Sequence, residues 1–134
     1  MIQVELTKII IDEKRQDQII VLKEKDGSRQ FPIVIGFLEA SSIKLKLSGM
    51  KVPRPMAHDL LAATIKGLGA KLEKIIIDQL ISNTFHAKLV LKTADGSERV
   101  IDARPSDSIA LAVRTNAPIF AEEEVLEKAS FFKT

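Results

Sequence analysis

Two stretches of this chain repeat one another, and that echo limits the possible folds more than any other feature. Leu6-Thr7-Lys8-Ile9-Ile10-Ile11-Asp12 returns as Leu72-Glu73-Lys74-Ile75-Ile76-Ile77-Asp78. Val21-Leu22-Lys23 is answered by Val90-Leu91-Lys92, and Asp26-Gly27-Ser28 by Asp95-Gly96-Ser97. The offset is 66 residues at the first match and 69 at the later ones, as an insertion in the second copy produces. Three matches in the same order point to a duplicated supersecondary unit rather than to chance resemblance between Ile-rich strands.

Each copy reads as strands closed by a hairpin and followed by a helix. β-Branched runs favour strands, and Asp-Gly supplies the positive φ of a tight turn. The expected strands are 2–12, 18–25 and 29–35 in the first copy, and 71–81, 84–93 and 97–102 in the second. Thr84 to Lys92 alternates, with Phe85, Ala87, Leu89 and Leu91 on one face, as a half-buried antiparallel strand does. Over 37–48 the pattern is mixed: Ile43-Lys44-Leu45-Lys46-Leu47 alternates like a strand, while Leu38, Ser42 and Leu45 recur at helical spacing. Gly49 stands where a helix would end, which favours a helix there. A second helix is expected over 55–68, with a stripe of Ala57, Leu61, Thr64, Ile65 and Leu68. A third begins at Pro105, a residue suited to the first helical position, and the acidic tail over 121–134 adds at most a short helix. The expected fold class is therefore α+β: a mostly antiparallel sheet built from two similar halves, with helices packed on it, in one domain over residues 1–134.

Composition excludes several functions. There is no cysteine, so disulfides and thiolate metal sites are ruled out, and two histidines make a structural zinc site a poor fit. Basic and acidic residues nearly balance, 20 against 18, so nucleic-acid binding would need a local patch. The N-terminus lacks signal-peptide character and the apolar runs are short, so a cytoplasmic protein without a membrane span is expected. No Walker loop, G-x-G-x-x-G, H-E-x-x-H or Gly-x-Ser-x-Gly occurs.

The chemistry-bearing residues cluster at two Arg-Pro pairs, Arg54-Pro55 and Arg104-Pro105, each read as a helix opening. An arginine beside free helix N–H groups suits a phosphate or carboxylate. Helical geometry places His58 on the flank of the buried stripe, in a first turn whose dipole favours a neutral ring, the form a general base needs. Asp59 points away from that stripe. Asp107 shares an outward face with Leu111, and an apolar residue there implies that this face packs on another element or subunit. Ser106 suits a helix start. Glu39, in the apolar run Gly36-Phe37-Leu38-Glu39-Ala40, fits either a carboxyl kept protonated or one paired with an arginine. Each of these features also has a purely structural reading, as a capped helix start or a boundary side chain.

Arg54-Pro55-Met56-Ala57-His58-Asp59-Leu60-Leu61 resembles the Arg-Pro-x-Thr-His-Asp-Leu-Leu motif of the bifunctional nuclease domain family. Arg104-Pro105-Ser106-Asp107-Ser108-Ile109-Ala110-Leu111 resembles its second motif, Arg-Pro-Ser-Asp-Ala-Ile-Ala-Leu. Further matches are Phe31-Pro32-Ile33-Val34-Ile35-Gly36 with Glu39-Ala40, Asn83-Thr84-Phe85, and Ala117-Pro118-Ile119-Phe120. Three departures are Ala57 for the usual Thr, Ser108 for Ala and His86 for Tyr. The resemblance implies a self-associating nuclease, a dimer favoured, acting on both DNA and RNA. Its motif residues map to Arg54, His58, Asp59, Arg104, Ser106 and Asp107, with Glu39 as a candidate additional acid. In a phosphodiesterase His58, Asp59 and Asp107 are the expected catalytic residues and Arg54, Arg104 and Ser106 the expected phosphate-binding ones. Asp59 and Asp107 would be the ligands of any divalent metal, Mg²⁺ or Mn²⁺. The competing expectation is a non-catalytic module that binds phosphate, nucleic acid or a protein partner through the same arginines.

Overall fold

The computed structural model describes residues 1–12, 14 and 17–132. The last residues of the expected tail, 133–134, lie outside them. Three strands come first, β1 (Ile2–Ile10), β2 (Asp17–Glu24) and β3 (Arg29–Gly36), followed by α1 (Phe37–Leu47) and α2 (Ala57–Gly67). The second set is β4 (Lys71–Ile81), β5 (Thr84–Lys92) and β6 (Glu98–Ala103), followed by α3 (Pro105–Thr115). The chain closes with β7 (Ile119–Ala121), α4 (Glu123–Ala129) and β8 (Phe131–Phe132). Among the described residues the strands form one sheet in the order β6-β5-β4-β7-β1-β2-β3-β8. Every pairing is antiparallel except that of β4 with β7. No helix among the described residues is long and apolar enough to cross a membrane.

The repeat extends to the register. In the first half Glu5 pairs with Lys23, Leu6 with Leu22 and Lys8 with Val21, with a bulge between Leu6 and Lys8. In the second half Lys71 pairs with Lys92, Leu72 with Leu91 and Lys74 with Val90, with a bulge between Leu72 and Lys74. A bulge bends and re-aims a strand at one defined point, so its repetition is structural and not only compositional. The hairpin turns differ, however. Gly96 has the positive φ expected of Asp-Gly, at 87°. Gly27 does not belong to the positive-φ set; its turn is held by side chains, with Lys23 Nζ donating to Gly27 O and the Arg29 N–H to Glu24. Ser82 and Asn83, at φ 50° and 65°, make the two-residue turn between β4 and β5, with both central residues in the left-handed region that such hairpins require.

β7 joins the halves. It runs antiparallel to β1 through Ile2–Ala121 and Val4–Ile119, and parallel to β4 through Ile75–Ile119 and Ile77–Ala121. Three residues were enough to be missed as a strand from their pattern, since periodicity needs a longer run. The sheet also curls. Phe31 on β3 and Phe85 on β5 stack with ring centroids 5.6 Å apart, although four strands separate them in the sheet order. The core is aliphatic around that pair, with Ile20, Leu22, Ile43, Ile75, Ile77, Ile109 and Leu126 fully buried.

Two helical stripes differ from expectation. On α1 the buried residues are Ala40, Ser42 and Ile43, while Leu38 is 78% exposed. α2 begins at Ala57, two residues after Pro55, and buries none of its residues fully; Leu61 and Leu68 stay open. Packing explains both. α3 contacts both α1 and α2, and α2 leans mainly on α3, touching the core through Ala62 and Ile65 and leaving a cleft beside its remaining stripe. Leu111 is buried, so the outward face of α3 packs on elements of the same chain.

Because Phe31 is fully buried against Phe85, Phe31→Ala should cost about 3–5 kcal/mol through lost contacts and a residual cavity. Urea unfolding followed by circular dichroism checks this; a loss below about 1 kcal/mol would mean that the stack does not hold the curl.

Candidate active site

The site forms where α1, α2 and α3 meet. Arg104 is the residue preceding α3, with Pro105 at the first helical position as expected, and its side chain is 67% exposed. Its Nε donates to Asp107 Oδ2 (3.0 Å) and its Nη2 to Glu39 Oε1 (3.2 Å). Of the two readings of Glu39, pairing with an arginine is the one found. Asp107 Oδ1 lies 2.8 Å from His58 Nε2, and His58 Nδ1 lies 2.8 Å from Ser42 Oγ. Arg114 Nη2 then donates to Ser42 Oγ (3.0 Å), and its Nε to Asp59 Oδ1 (2.7 Å). Asp59 Oδ2 accepts the Met56 N–H at the start of α2 (2.9 Å). One continuous line of polar contacts thus runs from Glu39 through Arg104, Asp107, His58, Ser42 and Arg114 to Asp59.

Donor and acceptor rules orient this line. Burial pushes the Asp107 carboxyl up, but hydrogen bonds from His58 and Arg104 outweigh it and hold the group below the usual carboxylate range. An ionised carboxylate only accepts, so His58 donates from Nε2. A neutral ring then leaves Nδ1 as acceptor for the Ser42 hydroxyl, whose oxygen in turn accepts from Arg114. Both ring nitrogens are therefore engaged, and His58 is only 12% exposed. It is built to orient Asp107 first, and is not a base standing free in the cleft.

The cleft, of about 730 Å³, is lined at one end by Glu39, Ser42, His58, Arg104 and Asp107. Its remaining walls are mostly apolar, from Leu38, Leu61, Ile65, Leu89, Leu91 and Ile101, with Ser41 and Asp102 also lining it. Arg54 and Asp59 line a separate cavity instead, together with Arg114. Ser106 is buried and lines a third cavity, beside Phe85 and Ile33, so it stands apart from the cleft. The residues expected to meet are thus divided between cavities. Asp59 and Asp107 are separated by His58, Ser42 and Arg114, and both oxygens of Asp59 are already bonded. Among the described residues no three His, Asp or Glu side chains are grouped to hold a metal, and these two carboxylates are not disposed to share one ion.

Ser42 and Arg114 lie outside both motifs and were not anticipated as site residues. The available signal was a polar residue within an apolar helical spacing, Leu38-Ser42-Leu45. Arg114 read only as a favourable cation in the last turn of a helix; its side chain is 4% exposed.

The bifunctional nuclease domain model matches residues 20–134. The chain belongs to the bifunctional nuclease domain family. An uncharacterised protein of Mycobacterium tuberculosis is 39% identical over 127 residues, 95% of this chain and 75% of that protein. Bifunctional nuclease 1 of Oryza sativa subsp. indica is 30% identical over 105 residues, 75% of this chain and 31% of that protein. Bifunctional nuclease 1 of Arabidopsis thaliana is 28% identical over 103 residues, 75% of this chain and 32% of that protein. The chain therefore spans most of the mycobacterial relative but about a third of the plant ones. Within the bifunctional nuclease domain, His58 and Asp59 of the first motif and Arg104 and Asp107 of the second enter the polar line, while Arg54 of the first does not.

Replacing Arg114 by Lys removes the planar fork that reaches Asp59, Ser42 and Ala110 together. Because it keeps the charge but leaves buried acceptors unpaired, a loss of about 1–3 kcal/mol is expected in chemical denaturation; no measurable loss would show that the guanidinium fork does not hold the helices. The Met56 N–H and Arg114 hold the Asp59 carboxyl below the usual carboxylate range. A group with a lowered folded pKa stabilises the fold above its unfolded value, about 3.9, and that contribution is lost as pH falls through the folded value. Asp59→Asn should therefore be less stable than wild type at pH 6, with the gap closing at the acid end; a pH-independent gap in thermal melts would contradict this.

Proposed function

We propose that the chain hydrolyses phosphodiester bonds in both DNA and RNA, with Arg104, Asp107 and His58 as its working group. The carrying observation is the Glu39–Arg104–Asp107–His58 line, which presents an exposed guanidinium beside an oriented carboxylate at the end of an open cleft. The names of the plant relatives support the reaction class.

Arg104 is held by two carboxylates and exposed, so a phosphate can draw it from them and take its forked donors. There it stabilises charge that develops on the phosphoryl oxygens. Its departure frees Asp107 Oδ2 to accept the proton of an attacking water, while His58 Nε2 fixes Oδ1. The same carboxyl returns that proton to the leaving oxygen as the P–O bond breaks. Ser42 and Arg114 act by holding His58 in the required tautomer. Nothing in this scheme reads a base, which fits action on either nucleic acid. The bare apolar rim at Leu38, Leu61 and Ile101 fits self-association as a dimer.

A binding-only role is the second reading, favoured by the closure of the line, since both nitrogens of His58 are already paired. Single-stranded DNA and RNA, incubated with purified protein with and without chelator, distinguish the two. On the hydrolytic reading Asp107→Asn lowers turnover by about 10²–10⁴-fold, the usual contribution of a general acid–base group, and His58→Ala lowers it less, since His58 only positions Asp107. Saturable binding with no cleavage by wild type leaves the binding role.

A further inference from the structure

The cavity that contains Arg54 carries charge that the cleft chemistry does not use. It is bounded by the end of α1, the segment 49–55 and the start of α2, with a volume of about 480 Å³. Lys46, Lys51, Arg54 and Arg114 line it, against one carboxylate, Asp59. That carboxylate is committed, with Oδ1 to Arg114 and Oδ2 to the Met56 N–H. Among the described residues, Lys46, Lys51 and Arg54 have no hydrogen-bonded or ion-paired side-chain partner. Three cations therefore line one hollow whose single carboxylate is already hydrogen-bonded elsewhere.

The backbone is suited to hold them there. Pro53 and Pro55 flank Arg54, and proline fixes its own φ and keeps the preceding residue extended. Arg54 thus projects from a stiff segment, and less backbone freedom is lost when it closes on a ligand. Lys46 comes from the last turn of α1 and lies near enough to Asp59 to lower its carboxyl.

We propose that Lys46, Lys51 and Arg54 form a second phosphate subsite, separate from the Arg104 position. The phosphate has two possible sources: the neighbouring phosphodiester of a strand whose scissile bond lies in the cleft, or the phosphate of a free small ligand. The first source rests on the hydrolytic reading above; the subsite itself does not. Asp59 and Arg114 line this cavity and not the cleft, and Arg114 reaches the cleft residue Ser42 by a hydrogen bond.

The test uses the full chain, wild type and the Lys51→Ala/Arg54→Ala double variant, whose altered side chains are exposed. Inorganic phosphate is titrated by NMR, and a single-stranded oligodeoxynucleotide is titrated at several salt concentrations. Wild type should show saturable shifts at Lys46, Lys51 and Arg54, and the double variant should bind phosphate at least tenfold more weakly. If the source is a strand, the oligonucleotide salt slope also falls by about 0.7 per contact removed. If it is a free ligand, phosphate binding falls while the oligonucleotide isotherm is unchanged. Phosphate affinity equal in the two proteins, or no shifts at these residues, overturns the subsite. Turnover by wild type is scored separately: its absence with variant-sensitive phosphate binding defeats the hydrolytic reading and leaves the subsite standing.

Discussion

A buried guanidinium fixes how the three helices of the site sit together. Arg114, in the last turn of α3, donates to Asp59 on α2, to Ser42 O and Oγ on α1, and to Ala110 O on its own helix. A charge this deeply buried is tolerated only when its donors are matched, so the helices cannot shift without exposing an uncompensated cation. α2 needs that constraint most, since it buries none of its residues fully and contributes little apolar packing. The same guanidinium orients Ser42, Ser42 orients His58, and His58 orients Asp107. Helix packing and site geometry therefore share one set of hydrogen bonds.

The sheet beneath is a repeated unit put to unequal use. Two three-stranded halves with equivalent bulges flank β7, and each is followed by a helix. The halves then diverge. α1 supplies Glu39 and Ser42, α3 and the residue before it supply Arg104, Asp107 and Arg114, and the second helix of each half differs, α2 bordering the site and α4 packing on β3 and β4. Duplication made a frame with two similar helix starts, and the site lies where the halves differ. The carboxylates at its ends do different work: Glu39 restrains Arg104, while Asp59 caps α2 and neutralises Arg114.

Particular residues show how far local pattern could be read. Strand positions, the Pro105 helix start, the Gly49 helix end and the packed face at Leu111 follow from periodicity, proline geometry and apolar patterning. The Arg54-Pro55 pair was read by the same logic as Arg104-Pro105, yet α2 begins later, and Arg54 faces another cavity. Pro55 permits a helix start without requiring one. On α1, Leu38 looked like core and Ser42 like an interruption, whereas Ser42 is buried and Leu38 exposed. Spacing defines faces of a helix; it does not say which face meets a neighbour.

The sequence by itself determined the repeated strand–hairpin units, the helix after each set, the absence of thiol chemistry, and the residue types available for phosphate chemistry. These follow from interactions between residues close along the chain. Only the tertiary structure decided that β7 would join the halves, that His58 would be held at both nitrogens, and that Arg54 and Arg104 would occupy separate cavities. Each of these depends on contacts between segments dozens of residues apart, such as His58 with Asp107 or Arg114 with Ser42. Such contacts form only after the sheet curls and the helices dock, and no local pattern encodes the angle at which they do so.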